Sequence, residues 1–335
     1  MRRTLLVPAQ TLLVLAAAIA LASCSPQKPK LVLLELDSAS TSTSGLPYTR
    51  QEVIYGRKFG TALTMDVFGP KANANGLGIV LFVSEGWYSE HDKIEPNIPI
   101  YIEAFLTRGY TVFAVVHGSN PKYSLPENIE DAHRAVRFIR HHARRYGIDP
   151  TRIGSTGDSA GGHLSLMVGG AGRAADASAS APVDAESSRV QAVVAFYPPT
   201  DFLNWGAPGR RMLGVHPIVP LQGAFAFSRL DSTTNSFQLI TDPQEREAIG
   251  RQVSPLTHVS PGNAPTLLVV GDADEFIPPQ QSQTMAAKLR AVGVPTELLV
   301  MKGGGHDETT IREHLPQALA WFDKHLAASG GPAHK

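Results

Sequence analysis

A serine stands at the centre of the run Gly157-Asp158-Ser159-Ala160-Gly161, which matches the pattern G-x-S-x-G. A strand-like stretch, 152–155, precedes this run and a helical stretch, 162–168, follows it. A sharp strand-to-helix turn exposes the serine hydroxyl, and it needs glycines because larger side chains would collide at the corner. The first N–H groups of the following helix favour negative charge there. The pattern predicts Ser159 as a nucleophile and the Ala160 N–H as an oxyanion donor; a plain glycine-rich turn is the alternative.

A serine hydroxyl becomes a good nucleophile only when a base takes its proton. The chain has 12 histidines, and one of them, His306, follows three glycines, 303–305, beyond the strand-like stretch 297–301. A flexible loop past a strand end can bring an imidazole over the nucleophile, so we predict His306 as the base. The other histidines have simpler interpretations: His141 and His142 suit a solvated helix end, His163 lies in the helix after Ser159, and His91, His117 and His258 lie in loops and could at most line the pocket.

Two carboxylates, Asp272 and Asp274, directly follow the buried run 266–270. The carboxyl end of a strand is the side on which open α/β sheets place their sites. Both residues also lie between Ser159 and His306, and serine, acid, histidine is the chain order in hydrolases built on such a turn. We assign Asp274 as the acid that orients His306 and stabilises its imidazolium, because Asp272 stands next to a glycine and suits the turn itself.

Strand-like and helical stretches alternate along most of the chain, and several strand-like stretches are apolar throughout, as in strands buried on both faces. This alternation predicts an α/β fold with a mostly parallel sheet and helices on both faces. The predicted strands are 63–68, 78–83, 111–116, 152–155, 190–196, 265–270 and 297–301, and the predicted helices are 98–108, 128–146, 162–168 and 311–326. The proline-, glycine- and aromatic-rich stretch 201–260 is either a small lid over the active site or an ordinary long excursion.

Together these residues resemble the α/β-hydrolase fold and, within it, the esterase/lipase group related to hormone-sensitive lipase and to small carbohydrate esterases. The resemblance runs from about Leu63 to Leu326 and is strongest over 126–166, which includes G-D-S-A-G-G at Gly157–Gly162; Gly271–Pro278 resembles the acid loop of the group. It implies a serine carboxylic ester hydrolase that works through an acyl-enzyme without a metal or organic cofactor. The implied substrates are short-chain acyl or aryl esters, with carbohydrate esters among the candidates.

The chain departs from this group in one loop. The group carries His-Gly-Gly-Gly-Trp after its third strand, whereas this chain has Val83-Ser84-Glu85-Gly86-Trp87. The resemblance implies that the main-chain N–H groups of Glu85 and Gly86 complete the oxyanion hole with Ala160. A main-chain donor survives a side-chain change if the loop keeps its shape, but the Glu85 carboxylate would oppose an oxyanion unless it points away into solvent.

The N-terminal segment has the features of an export signal. Arg2 and Arg3 precede a mostly apolar stretch, 5–21, and the only cysteine of the chain, Cys24, follows Leu21-Ala22-Ser23. This order resembles the bacterial lipoprotein box, in which the cysteine is diacylated and becomes the mature N-terminus; an uncleaved membrane helix is the alternative.

We therefore expect residues 1–23 to be a lipoprotein signal peptide, residues 24–50 a flexible tether and residues 51–330 the hydrolase domain. Cys24 is the predicted lipid attachment site, through which the exported protein is held to a membrane, at the periplasmic face or the cell surface. Ser25 resembles the residue that directs such proteins to the outer membrane.

Composition narrows the classes of function further. The 335 residues are 43% hydrophobic and 18% charged, with 30 basic and 30 acidic side chains. Such a balance provides no basic field for nucleic acid, so we expect no nucleic-acid partner. Two rivals to an esterase remain: a peptidase of the prolyl-oligopeptidase type, whose extra propeller domain this chain has no room for, and a catalytically silent binding protein on a hydrolase scaffold.

Overall fold

The computed structural model describes residues 45–120, 122–213 and 219–327. The predicted signal peptide and Cys24 lie outside the described residues. Ten strands are present in the described part: β1 Tyr48–Lys58, β2 Thr61–Pro70, β3 Gly78–Phe82, β4 Thr111–Val116, β5 Ile153–Asp158, β6 Ala192–Phe196, β7 Ser228–Asp231, β8 Ser236–Leu239, β9 Thr266–Gly271 and β10 Thr296–Met301. β1 begins inside the predicted tether, so the expected start of the domain at residue 51 was too late.

Eight of these strands form one sheet in the order β1-β2-β4-β3-β5-β6-β9-β10. β2 runs antiparallel to β1 and to β4, and from β4 to β10 all neighbours are parallel. Every residue of β3, β4, β6 and β9 is buried, as expected for strands covered on both faces. The predicted mostly parallel sheet is therefore confirmed.

Helices cover both faces of this sheet. The helices of the described residues are α1 Ile94–Asn97, α2 Glu103–Thr107, α3 Leu125–His141, α4 Ser159–Gly170, α5 Pro182–Ala185, α6 Pro243–Gln252, α7 Gln280–Ala291 and α8 Glu308–Ala327. One apolar layer contains side chains of α3, α4 and α7, and the opposite layer contains side chains of α2 and α8. None of these helices is both long and apolar enough to cross a membrane.

The start of α3 shows how local polar contacts set an element boundary. Periodicity alone placed this helix from residue 128, but it begins at Leu125. The Glu127 carboxylate accepts the Ser124 main-chain N–H at 2.9 Å, and Pro126 occupies the first turn, where its missing N–H is not needed. These residues are polar or small, so they carry no hydrophobic signal.

The stretch 201–260 forms an excursion between β6 and β9. Its described residues include the β7–β8 hairpin and α6. Phe202, Trp205 and Phe225 from this stretch are buried in the same apolar layer as α3 and α4. These aromatic residues extend the core, whereas the β7–β8 hairpin of the same excursion has no fully buried residue.

Candidate active site

Ser159 occupies a sharp corner between β5 and α4. Its φ is 50°, which is the left-handed region that residues with a Cβ rarely adopt. The turn is tight because two glycines allow close main-chain approach. A Cβ added to Gly161 would lie 2.3 Å from the Phe82 carbonyl oxygen, and one added to Gly157 would lie 2.7 Å from the Gly161 carbonyl carbon. The geometry is the strained strand–helix turn that the sequence pattern predicts.

The structure brings Ser159, His306 and Asp274 into one hydrogen-bonded chain. His306 Nε2 lies 3.0 Å from Ser159 Oγ, and His306 Nδ1 lies 2.9 Å from Asp274 Oδ2. His306 follows β10 on the glycine loop, and the Asp272 carboxylate accepts the Gly303 N–H of that loop at 2.6 Å. Asp272 therefore holds the histidine-bearing loop, whereas Asp274 contacts the histidine itself.

The Asp274 carboxylate is fixed on both of its oxygens. Oδ1 accepts the N–H groups of Phe276 and Ile277 at 2.9 Å each, and the side chain is fully buried. Oδ2 is an acceptor only, so His306 Nδ1 must carry the proton that it donates. In a neutral ring Nε2 is then unprotonated and can accept the Ser159 proton.

Two aromatic rings flank the imidazole of His306. The Tyr197 ring centroid lies 4.3 Å away and the Phe276 centroid 5.6 Å away. Tyr197 directly follows β6, has a φ of 36°, and donates its hydroxyl to the Asp307 carbonyl at 3.3 Å. Burial raises the pKa of the Tyr197 phenol, which keeps it protonated. Sequence reasoning missed this residue, although its position at the carboxyl end of a parallel strand was a signal for it.

The free N–H groups at the N-terminus of α4 lie next to Ser159. Asp158 precedes the helix but makes no side-chain capping hydrogen bond, so the N–H of Ala160 stays available as an anion donor. The Asp158 carboxyl instead accepts the Tyr101 hydroxyl at 3.3 Å. Burial raises the pKa of Asp158, and the nearby His306 opposes that rise.

The loop Ser84–Trp87 contributes the opposite wall. Gly86 lines the cavity, and in the described residues its N–H has no hydrogen-bond acceptor. The predicted donor role of the Glu85 N–H is wrong for this conformation, because that group donates to the Tyr88 carbonyl at 2.9 Å. This hydrogen bond closes a tight turn from Glu85 to Tyr88. The N–H groups of Gly86 and Ala160 are therefore the two predicted donors that remain free.

Glu85 lines the cavity, and its charge adds to the effect of burial in raising the pKa of Asp158, but most of its side chain is in solvent. Its side chain is 64% exposed and forms an ion pair with Lys93 Nζ at 3.0 Å. The pairing draws the negative charge toward a lysine at the protein surface. A carboxylate next to Gly86 is therefore compatible with an anion at the Gly86 N–H.

Ser159 and His306 line a cavity of about 690 Å³, and Asp274 is buried behind His306. None of the described residues of 201–260 is among the cavity's lining residues. The cavity walls come from the segments around β3 and α1, and from the loops after β5, β6, β9 and β10. Its lining residues are Val83, Ser84, Glu85, Gly86, Tyr88, Pro96, Asn97, Ile100, Tyr101, Asn120, Asp158, Ser159, Tyr197, Phe276, Ile277, His306, Asp307, Glu308 and Ile311.

The sheet order, the strand–serine–helix turn and the serine–histidine–aspartate chain define an α/β-hydrolase fold. Solved structures agree with this fold. A truncated carbohydrate esterase from gut microbiota has a TM-score of 0.66 at 23% identity, over 82% of this chain and 95% of that chain. The esterase Est2 of Thermogutta terrifontis has a TM-score of 0.63 at 20% identity, over 84% of this chain and 95% of that chain.

The chain belongs to the BD-FAE family, whose model matches residues 65–289. Its curated relatives include the probable carboxylic ester hydrolase LipM of Mycobacterium tuberculosis, 26% identical over 298 residues, and the esterase LipU of the same organism, 30% identical over 206 residues. These alignments cover 84% and 59% of this chain. The chain spans 64% of LipM and 60% of LipU.

Proposed function

We propose that this protein is a serine carboxylic ester hydrolase that works through an acyl-enzyme. The observation that carries the proposal is the hydrogen-bonded chain from Ser159 Oγ through His306 to the buried Asp274, at the wall of the cavity. Ser159 attacks the ester carbonyl carbon while His306 Nε2 takes its proton. The protonated histidine then gives this proton to the leaving alcohol. Water, activated by His306, cleaves the acyl–Ser159 bond and releases the acid.

The oxyanion formed in both steps is held by the N–H groups of Ala160 and Gly86. One belongs to the first turn of α4 and the other to the Ser84–Trp87 loop, so they approach the reacting oxygen from two separate elements. Loss of one such donor lowers the rate by about 10²–10³-fold in serine hydrolases. The Asp274 charge acts at the same time, because it stabilises the imidazolium on His306.

We infer that the substrates are esters of short acyl or aryl acids, with acylated carbohydrates as the favoured alcohols. The cavity supports this inference because its lining includes two exposed rings, Tyr88 and Phe276, and two amide side chains, Asn97 and Asn120. Aromatic faces and amides suit a polyhydroxylated ring. Two structural neighbours support it by their descriptions: a carbohydrate esterase, and an acetyl ester-xyloside bifunctional hydrolase from Caldicellulosiruptor lactoaceticus, which has a TM-score of 0.63 at 22% identity over 83% of this chain and 94% of that chain.

A p-nitrophenyl ester series from acetate to palmitate tests the reaction and the acyl length. We expect turnover to be highest at acetate and to be absent in Ser159→Ala, with an unchanged circular dichroism spectrum. A fluorophosphonate should label the wild type at Ser159 and leave the variant unlabelled. Retained activity in a clean Ser159→Ala preparation would reject the nucleophile. Cleavage of peptide amides without ester turnover would favour the peptidase, and absence of both labelling and turnover would favour a silent binding protein.

We further propose that the protein is exported and anchored to a membrane by lipid on Cys24. The support is the order of residues 1–24, a basic start, an apolar stretch, small residues and the only cysteine of the chain. Two or more acyl chains would give stable attachment, since a single chain binds only weakly. Metabolic labelling with an alkynyl palmitate should mark the wild type, and Cys24→Ser should lose the label and leave the membrane fraction. An unlabelled wild type in the membrane would point to an uncleaved helix instead.

A further inference from the structure

Two buried imidazoles contact the two ends of the Ser84–Trp87 loop. The Ser84 hydroxyl lies 2.8 Å from His117 Nε2, and Trp87 Nε1 lies 3.2 Å from His163 Nδ1. His117 follows β4, whereas His163 belongs to α4. Both rings are almost completely buried, at 3% and 0% exposure. The loop that carries Gly86 is thus attached at each end to a different element of the fold.

The hydrogen-bond partners determine where the protons are. His117 Nδ1 donates to the Gly118 carbonyl at 2.7 Å, and His163 Nε2 donates to the Val253 carbonyl at 2.8 Å. A carbonyl can only accept, so these two nitrogens carry hydrogen. The indole N–H of Trp87 can only donate, so the His163 nitrogen that faces it is unprotonated. The Ser84 hydroxyl can donate or accept. Burial lowers the pKa of His117 to about 4, so near neutral pH its Nε2 is unprotonated and accepts from the Ser84 hydroxyl.

A second set of polar groups holds His117, which contacts the Ser84 end of the loop. Gly118, whose carbonyl accepts from His117, donates its own N–H to Asp131 Oδ2 at 2.9 Å. The same carboxylate oxygen lies 2.5 Å from Lys58 Nζ. The Asn128 amide also donates to the Gly118 carbonyl. Asp131 and Asn128 both belong to α3, so the position of His117 is tied to that helix.

The loop needs such anchors because two of its residues have a left-handed backbone conformation. Gly86 has a φ of 56° and Trp87 a φ of 61°. A side chain as large as tryptophan is strained in the left-handed region and persists there only when its surroundings hold it. The Trp87 indole is 1% exposed and packs edge-on against Phe202 and Phe225, with ring centroids 5.6 and 5.4 Å away.

We propose that His117 and His163 are positioning residues that hold the Ser84–Trp87 loop so that the Gly86 N–H faces the oxyanion formed at Ser159. The proposal rests on the ester hydrolysis proposed above. It assigns a function to Ser84, one of the residues that replace the glycines of this loop. The serine hydroxyl supplies a donor that His117 accepts, and a glycine there could supply none.

Ser84→Ala tests the His117 end, because it removes the donor and little volume. We expect kcat to fall by about 10–100-fold, since a small displacement of a catalytic group has an effect of this size. KM should stay within about twofold, because ground-state binding does not use the oxyanion hole. Affinity for phenylboronic acid, which forms a tetrahedral adduct on Ser159, should fall by a factor similar to that of kcat. Ser84→Thr keeps the hydroxyl and should recover most of the kcat.

Ser188→Ala is the matched control for the loss of a buried hydroxyl. Ser188 is fully buried, its hydroxyl accepts the Arg173 N–H at 2.8 Å, and it does not line the cavity. We expect this variant to keep the kcat and the boronate affinity of the wild type, whatever its melting temperature. His117→Gln, which retains an acceptor, should keep more activity than His117→Leu. Trp87→Phe removes the hydrogen bond to His163 at the other end of the loop and should also lower kcat.

Wild-type kcat and boronate affinity in Ser84→Ala would overturn the proposal. Equal losses in Ser84→Ala and Ser188→Ala, in step with lower melting temperatures, would also overturn it, because they would indicate general destabilisation. A wild type that neither cleaves esters nor reacts with a fluorophosphonate would reject the proposed function itself. The labelling reaction therefore separates failure of the enzyme assignment from failure of the positioning proposal.

Discussion

Replacement of Asp274 by asparagine exchanges one oxygen for an NH₂ group and should remove most of the activity. The remaining amide oxygen can still accept the N–H groups of Phe276 and Ile277, so we expect the loop to keep its shape. The NH₂ group then replaces Oδ2 and presents a donor to His306 Nδ1. That nitrogen must give up its proton, which moves to Nε2, and a protonated Nε2 cannot accept the proton of Ser159.

The expected loss has two parts, the wrong tautomer and the missing charge beside the imidazolium. Together they lower kcat/KM by about 10³–10⁴-fold, which is about 4–5.5 kcal/mol of transition-state stabilisation. The assay is hydrolysis of p-nitrophenyl acetate near neutral pH, with substrate well below KM so that the slope gives kcat/KM directly. Fluorophosphonate labelling of the variant should slow in parallel, because it uses the same activated Ser159.

Asp272→Asn is the control, since Asp272 lies two positions away but contacts Gly303 instead of His306. The asparagine oxygen keeps that contact, and exposed substitutions of this kind change free energies by about 0.5 kcal/mol or less, so kcat/KM should stay within about threefold. A loss of less than tenfold in Asp274→Asn would refute the reasoning about the tautomer. Equal losses in the two variants would show that we assigned the wrong carboxylate.

Two further predictions concern stability. Gly161→Ala should lower the free energy of unfolding, measured by urea titration, by about 1–3 kcal/mol, because its Cβ would lie 2.3 Å from the Phe82 carbonyl oxygen. Gly262→Ala is the control: the nearest atom to its Cβ is 3.9 Å away, so the same titration should show no change. Burial lowers the pKa of His117, His133 and His163 from 6.5 to about 4. The unfolded chain therefore takes up these protons first as the pH falls below 6.5, and the free energy of unfolding should drop by about 1–2 kcal/mol for each imidazole between about pH 7 and pH 5. Urea unfolding at both pH values measures this, and a flat profile would contradict the buried neutral state.

Much of the fold followed from patterns within single segments. The apolar run 111–116 is β4 without any change in its bounds, and the run 78–83 differs from β3 by one residue. A strand buried on both faces has a continuous apolar sequence, so its position can be predicted locally. β1 was not predicted from the sequence, because its buried and exposed residues follow no regular alternation and its register shifts between Ile54 and Gly56.

The sequence by itself determined the turn at Ser159, since the glycines that permit it are adjacent in the chain, and it placed Asp274 and His306 at strand ends by their spacing. Only the tertiary structure decided which groups meet. It paired the Glu85 N–H with Tyr88, placed Tyr197 against His306, and brought His117 and His163 to the Ser84–Trp87 loop. Those contacts join segments that lie far apart in the chain or depend on the exact path of one turn. A hydrogen bond requires atoms within about 3 Å and a defined angle, and residue type and spacing do not specify positions that closely.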